Sequence, residues 1–333
     1  MTRRLALLAV LLAGVSLALP PPAPTQNADP PLAEAIREYE AGNYQRAAAV
    51  LRAALEREAP SGAGPMEYWL ARCYFELRDF DRAIASARRA VARDPQNSEY
   101  HQWLGRAYGR KAEQAGMFSG FSLARKTRQE FEEAVRLNPS NITAQHDVIE
   151  FYYRAPGIVG GGDDKARRQI SALAAVDPAE AHLAWGNYWL DKKKPDLAEA
   201  HYRQLLLEGA KRPDPYFDVA DFYQDRHDAA HMEEAVETAA RVGPLDRRLS
   251  FYRGVVRILA GNRLDEAEQM LTTYLTTVPQ RSDLPSHVSA HEWLARLYQT
   301  QGNHAAAAEH YRAILQLDPR NKNAREALRR LKK

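Results

Sequence analysis

His227-Asp228-Ala229-Ala230-His231 is the stretch whose residue types and spacing come nearest to a known chemistry. On a helix, two histidines four positions apart share a face and bind one divalent metal, with an acidic neighbour acting as base. Here aspartate stands where glutamate serves, which shortens the base by one methylene. The helical register also puts His227 in a turn, and no third ligand presents itself. His287 and His291 repeat the spacing at another helix start and read the same way. Gly160-Gly161-Gly162-Asp163-Asp164-Lys165 has the glycines of a phosphate-binding loop. It lacks the Gly-Lys-Ser/Thr that holds phosphate and magnesium, and no strand precedes it. Asp163 and Asp164 at a helix start repel phosphate and are expected to cap the helix instead. The single cysteine, Cys73, lies between Leu70 and Tyr74 on a helical face and reads as a small buried residue; alone, it excludes an intramolecular disulfide. The sequence predicts no catalytic residue, no metal, no cofactor and no small-molecule substrate.

The elements that carry these residues are helices on a repeating beat. Pro95, Pro139, Pro178, Pro244, Pro279 and Pro319 each close a helix-like segment, at intervals of 44, 39, 66, 35 and 40 residues. No stretch alternates apolar and polar residues as a strand would. The clearest unit has Trp293, Leu294, Ala295 and Tyr298 on one helical face, then Gly302. Ala307, Tyr311, Ile314 and Leu315 follow on a second face, and Pro319 ends it. Small residues where two helices cross allow close approach, and bulky neighbours fill the space around them. Leu70, Ala71, Tyr74 with Ala83 and Ala90, and Leu104, Gly105, Tyr108 with Phe131 and Ala134, repeat the pattern.

This pattern resembles the tetratricopeptide repeat. The resemblance implies an all-α fold, a right-handed α-solenoid of about eight helix hairpins. Their expected bounds are 31–61, 64–97, 98–141, 142–178, 179–212, 213–246, 247–281 and 288–321, with a capping helix at 323–332. It also implies a concave groove lined by the first helix of each pair. Projected onto this chain, the groove receives Tyr68, Arg72, Phe75, Arg106, Arg110, Tyr153, Arg154, Asn187, Asp221 and Asp225, basic and aromatic in repeats two to four and acidic in repeats five and six. The carboxylate clamp that some of these domains use on chaperone C-termini is missing, because Arg72, Arg106 and Glu150 occupy the comparable places.

Two insertions depart from the minimal repeat, Gly116–Ser122 and Ala155–Gly162, at the same place in neighbouring units. Both are expected to be loops on one edge, with Met117, Phe118, Phe121, Ile158 and Val159 forming an apolar lip that contacts a partner or a membrane surface. Residues 1–18, with Arg3, Arg4 and the apolar run Leu5–Leu19, read as a cleavable export signal, and 19–30 as a proline-rich tether. A net charge of +3 carries no basic excess of the kind nucleic-acid binding needs. The expected function is a non-catalytic scaffold of the cell envelope, periplasmic or secreted, or held at the inner membrane if the signal is uncleaved. It would capture a protein or peptide partner in the groove. The alternative is a structural subunit of a multi-protein envelope or secretion assembly.

Overall fold

A computed structural model describes residues 30–57 and 63–331. The stretch expected to be an export signal, 1–18, and all but the end of the expected tether lie outside the described residues. Two compact units divide the described residues, the first ending at Gly209 and the second beginning at Ala210. Among the described residues every regular element is a helix, and none is long and apolar enough to cross a membrane.

In the first unit α1 (Pro30–Glu40) pairs with α2 (Tyr44–Glu56), α3 (Ala63–Glu76) with α4 (Phe80–Arg93), and α5 (Ser98–Gln114) with α6 (Met117–Leu137). Next come α7 (Ile142–Arg154) with α8 (Asp163–Ala174), and α9 (Pro178–Asp191) with α10 (Pro195–Glu208). In the second unit α11 (Asp214–Asp225) pairs with α12 (Ala229–Val242), α13 (Leu249–Ala260) with α14 (Leu264–Thr277), and α15 (His287–Thr300) with α16 (His304–Leu317). The short α17 (Lys322–Arg330) packs on α16 through Ala324. Each unit is thus an α-solenoid of antiparallel hairpins.

The hairpins close because the crossing points are small. A Cβ on Gly186 would lie 2.1 Å from the Tyr202 ring, and one on Gly105 would lie 2.5 Å from Phe131. Around them Ala71, Ala83, Ala198, Tyr202, Ala220, Tyr223, Ala295 and Ala307 are all buried. Full burial of a large apolar side chain contributes about 1.5–3 kcal/mol, so each hairpin is held by a few such residues against its neighbours.

Helix starts are set by short polar side chains. Asn97, Asn141 and Asn321 each accept backbone N–H bonds from the first turn of the helix that follows. The Asp-Pro and Asn-Pro dipeptides place those caps: Pro95, Pro139 and Pro319 lie two residues before them, in the turn between hairpins. Pro178 differs from its expected role. It opens α9 just after the Asp177 cap rather than closing a helix, where its missing N–H costs nothing.

One expected loop is not a loop. Residues 117–122 are the start of α6, which runs unbroken for 21 residues beside a 17-residue α5. The extra length of this repeat lengthens its helices, since the segment holds no proline and its glycines do not break it. The second insertion is irregular: a single 3-10 turn, Gly157–Val159, then Gly160 in the left-handed region at φ 99°.

Candidate binding surface

Along the first unit the first helices touch one another in a row, α1 on α3, α3 on α5, α5 on α7 and α7 on α9. The residues projected onto a groove stand on this row, but most of them are already engaged. Arg72 is only 4 % exposed, and its guanidinium lies over Trp69, Trp103 and Tyr39 at 4.2, 4.8 and 4.9 Å. Tyr68 and Tyr153 are buried, and Phe75 is half-buried, packed edge-on against Phe80 and Trp103. The expected basic, aromatic face of repeats two to four is therefore in large part core. A side chain as long as arginine can fold inward where rings stack on its planar head.

The other cations are paired. Arg106 of α5 forms a two-pronged bond with Asp147 of α7, Nε to Oδ2 at 2.8 Å and Nη2 to Oδ1 at 3.2 Å. Gln102 adds a bond to the same carboxylate at 2.7 Å, and its amide oxygen accepts from Asn141 and Thr143. Arg110 pairs with Glu113, and Arg154 with Glu150 at 2.7 Å and Asp191 at 3.6 Å. Burial lifts the Glu150 carboxyl to about 7 in spite of Arg154 beside it. Asn187 accepts from the Tyr202 hydroxyl.

In the second unit α11 and α13 make the corresponding contact. Arg248 reaches Asp214 at 3.0 Å and Asp246 at 2.7 Å, and lies 4.3 Å over the Phe217 ring. Burial raises Asp221 to about 7 against the opposing hydrogen bond from Tyr252. Asp225 is exposed at the end of α11.

The apolar lip is partly dismantled. Met117, Phe118 and Ile158 are exposed, but Val159 is buried against Phe131, Val148 and Phe151, and half-buried Phe121 packs on that cluster. The two segments do meet, since Arg125 donates to the Ile158 carbonyl at 3.2 Å.

The sequence's metal and phosphate look-alikes are taken apart by the backbone. His227 sits in a turn at φ 58°, while His231 in α12 bonds Asp228 at 2.6 Å. His291 meets His310 across its hairpin, Nδ1 to Nδ1 at 2.9 Å, rather than His287. His182 and His201 form an equal pair, also 2.9 Å apart. The signal for both pairs, a histidine on each helix of one hairpin 19 positions apart, is present in the sequence and was not read from it. Asp163 and Asp164 do not cap α8: Gly162 holds that place, and they pair with Lys192 and Arg167. Cys73 is buried and its thiol is pushed up to about 12, chiefly by burial. Among the described residues no group of three His, Cys, Asp or Glu is placed to hold a metal.

The tetratricopeptide repeat model matches residues 32–98, 68–115 and 260–322. A solved structure of a thermophilic repeat protein from Thermus thermophilus is 24% identical, with 58% of this chain and 96% of that one covered and a TM-score of 0.46. A chain of the APC/C hetero-tetramer Cut9–Hcn1 is 13% identical with a TM-score of 0.51; it covers 92% of this chain, which spans 56% of it. A repeat protein from Parabacteroides merdae is 14% identical, covering 82% and 100%, with a TM-score of 0.45. The Cut9–Hcn1 likeness bears on the fold alone. A search of curated proteins finds no match. Folds of this kind are generally protein-interaction scaffolds without catalysis of their own.

Proposed function

We propose that the chain is a non-catalytic scaffold of the cell envelope that captures a protein or peptide partner along the row of first helices. One observation carries this reading: the row α5, α7, α9 presents Arg110, Glu113, Glu150, Arg154 and Asp191 as half-buried ion pairs. Each is paired within the protein, yet each stays open enough for a ligand carboxylate or guanidinium to take one partner's place. Exchange of an internal ion pair for an intermolecular one costs little net charge solvation and gives orientation through bidentate geometry. Location in the envelope rests on the apolar segment Leu5–Leu19 behind Arg3 and Arg4.

The test is capture from a membrane-and-periplasm extract with the natural chain and with Arg154→Glu, followed by rebinding of each purified candidate. A partner that rebinds the natural chain and loses about tenfold in affinity to Arg154→Glu supports the reading, that being about 1.4 kcal/mol. Partners that bind both chains equally well would reject this surface.

A further inference from the structure

Phe118 is 83 % exposed, Ile158 61 % and Met117 45 %. They come from separate segments, yet the fold fixes them together. Arg125 ties α6 to the 3-10 turn through the Ile158 carbonyl. Beneath them Phe121, Ala124, Phe151, Ala155, Pro156 and Val159 line an apolar hollow shared by the two segments. Along the first turns of α6 the charge has one sign. Residues 114–129 hold no acid, while Arg125, Lys126 and Arg128 lie within them, and Arg125 and Lys126 are exposed. The acids at its margins are each committed to a cation: Glu113 to Arg110, Glu132 to Arg128, Asp163 to Lys192 and Asp164 to Arg167.

We propose that Met117, Phe118 and Ile158, with Arg125 beside them and exposed Lys126 further along α6, its ammonium 5.4 Å over the Tyr108 ring, dock this edge of the first unit onto an anionic lipid surface. The apolar side chains enter the boundary between headgroups and acyl chains, and the two cations meet lipid phosphates. Charge complementarity selects this occupant, because an anionic bilayer offers negative charge and an apolar interior in that vertical order. The knob offers the same two layers in reverse. Arg125 does two jobs here, since its bond to the Ile158 carbonyl also ties the second segment to α6. The attachment is shallow and reversible: three side chains and two charges fall far short of a spanning helix. Glu113 and Arg154 of the first-helix row line the same hollow, but lipid attachment and partner capture are read by separate experiments, so failure of either leaves the other standing.

The full chain with Met117→Cys, labelled with a polarity-sensitive fluorophore, reads the lip itself; buried Cys73 stays unlabelled. Vesicles of phosphatidylcholine with phosphatidylglycerol should shift the emission to the blue. The shift should vanish at about 1 M salt, where the screening length is about 3 Å, and be weak with phosphatidylcholine alone. Phe118→Ser and, separately, Lys126→Glu in the labelled chain should each lower the partition coefficient about fivefold to tenfold, at unchanged helical circular dichroism. Several results would overturn the proposal. One is a silent probe while the chain still sediments with vesicles, which places attachment elsewhere. Another is an equal response to neutral vesicles. A third is a blue shift without lipid that grows with protein concentration, which makes a second copy of the chain the occupant. A response only to a protein from the extract would likewise replace lipid by a protein partner.

Discussion

The α5–α7 seam of the first unit and the α11–α13 seam of the second join first helices in the same way and settle their charges differently. In the α5–α7 seam Asp147 faces both Arg106 and Gln102, and Asn141, Ser98 and Thr143 complete a buried hydrogen-bonded chain. Donors and acceptors match there. In the α11–α13 seam Arg248 serves Asp214 and Asp246, while Asp221 is left to the Tyr252 hydroxyl and holds its proton to about 7. The first seam is fixed by geometry and the second partly by protonation. A repeat architecture tolerates both, because each junction answers only to its neighbours.

The largest effect that would break the contrast is expected from Arg248→Ala. Asp214, only 1 % exposed, is left with Arg212 at 3.4 Å and Asp246 loses its cation, at a cost of about 3 kcal/mol or more. Amide exchange should show α11 and α13 opening while α5 and α7 keep their protection. Asp147→Ala is the reciprocal cut. It removes the carboxylate that Arg106 grips and should cost about 3 kcal/mol, with lost protection confined to α5 and α7.

Asp221 gives a smaller effect with a definite sign. Its folded-state value lies above the unfolded one, so the folded form keeps a proton that the unfolded chain releases. Stability of the second unit through this group is therefore greatest in acid and falls as pH rises toward 7. Asp221→Asn should add about 1–2 kcal/mol at pH 8, and nothing at about pH 4, in denaturant titrations. The smallest effect comes from His291, depressed to about 4 by burial and by its histidine neighbours. It acts in the opposite direction: its contribution is complete above the unfolded value near 6.5 and declines as pH falls toward 4. In an Asp221→Asn background, acidification from pH 7 to 5 should then weaken the second unit by under about 1 kcal/mol. A gain in that background would show that another carboxyl governs the seam.

The hairpins were legible because packing writes itself into composition: Gly105, Ala134, Ala198 and Ala295 are small where helices cross, and they recur on a beat. The surface was less legible. Spacing puts Arg72 and Arg106 on the first-helix face, but whether a long side chain reaches water or turns onto Trp69 and Trp103 depends on the next repeat. The same limit hid Asp147, which lies 41 residues from Arg106. The insertion at 116–122 misled because glycine usually marks a loop, whereas here Gly120 sits inside a long helix whose first turn needs no side-chain cap.

The corners of the hairpins carry a quieter consequence. Arg78, Lys193 and His227 adopt left-handed backbone at the position, two residues before the second helix, where Gly42 and Gly302 stand in other hairpins. Each L-residue there forgoes about 1 kcal/mol that glycine would not. These three bends are latent reserves: engineers seeking a hardier variant could relax them one at a time, without touching either the lip or the first-helix row.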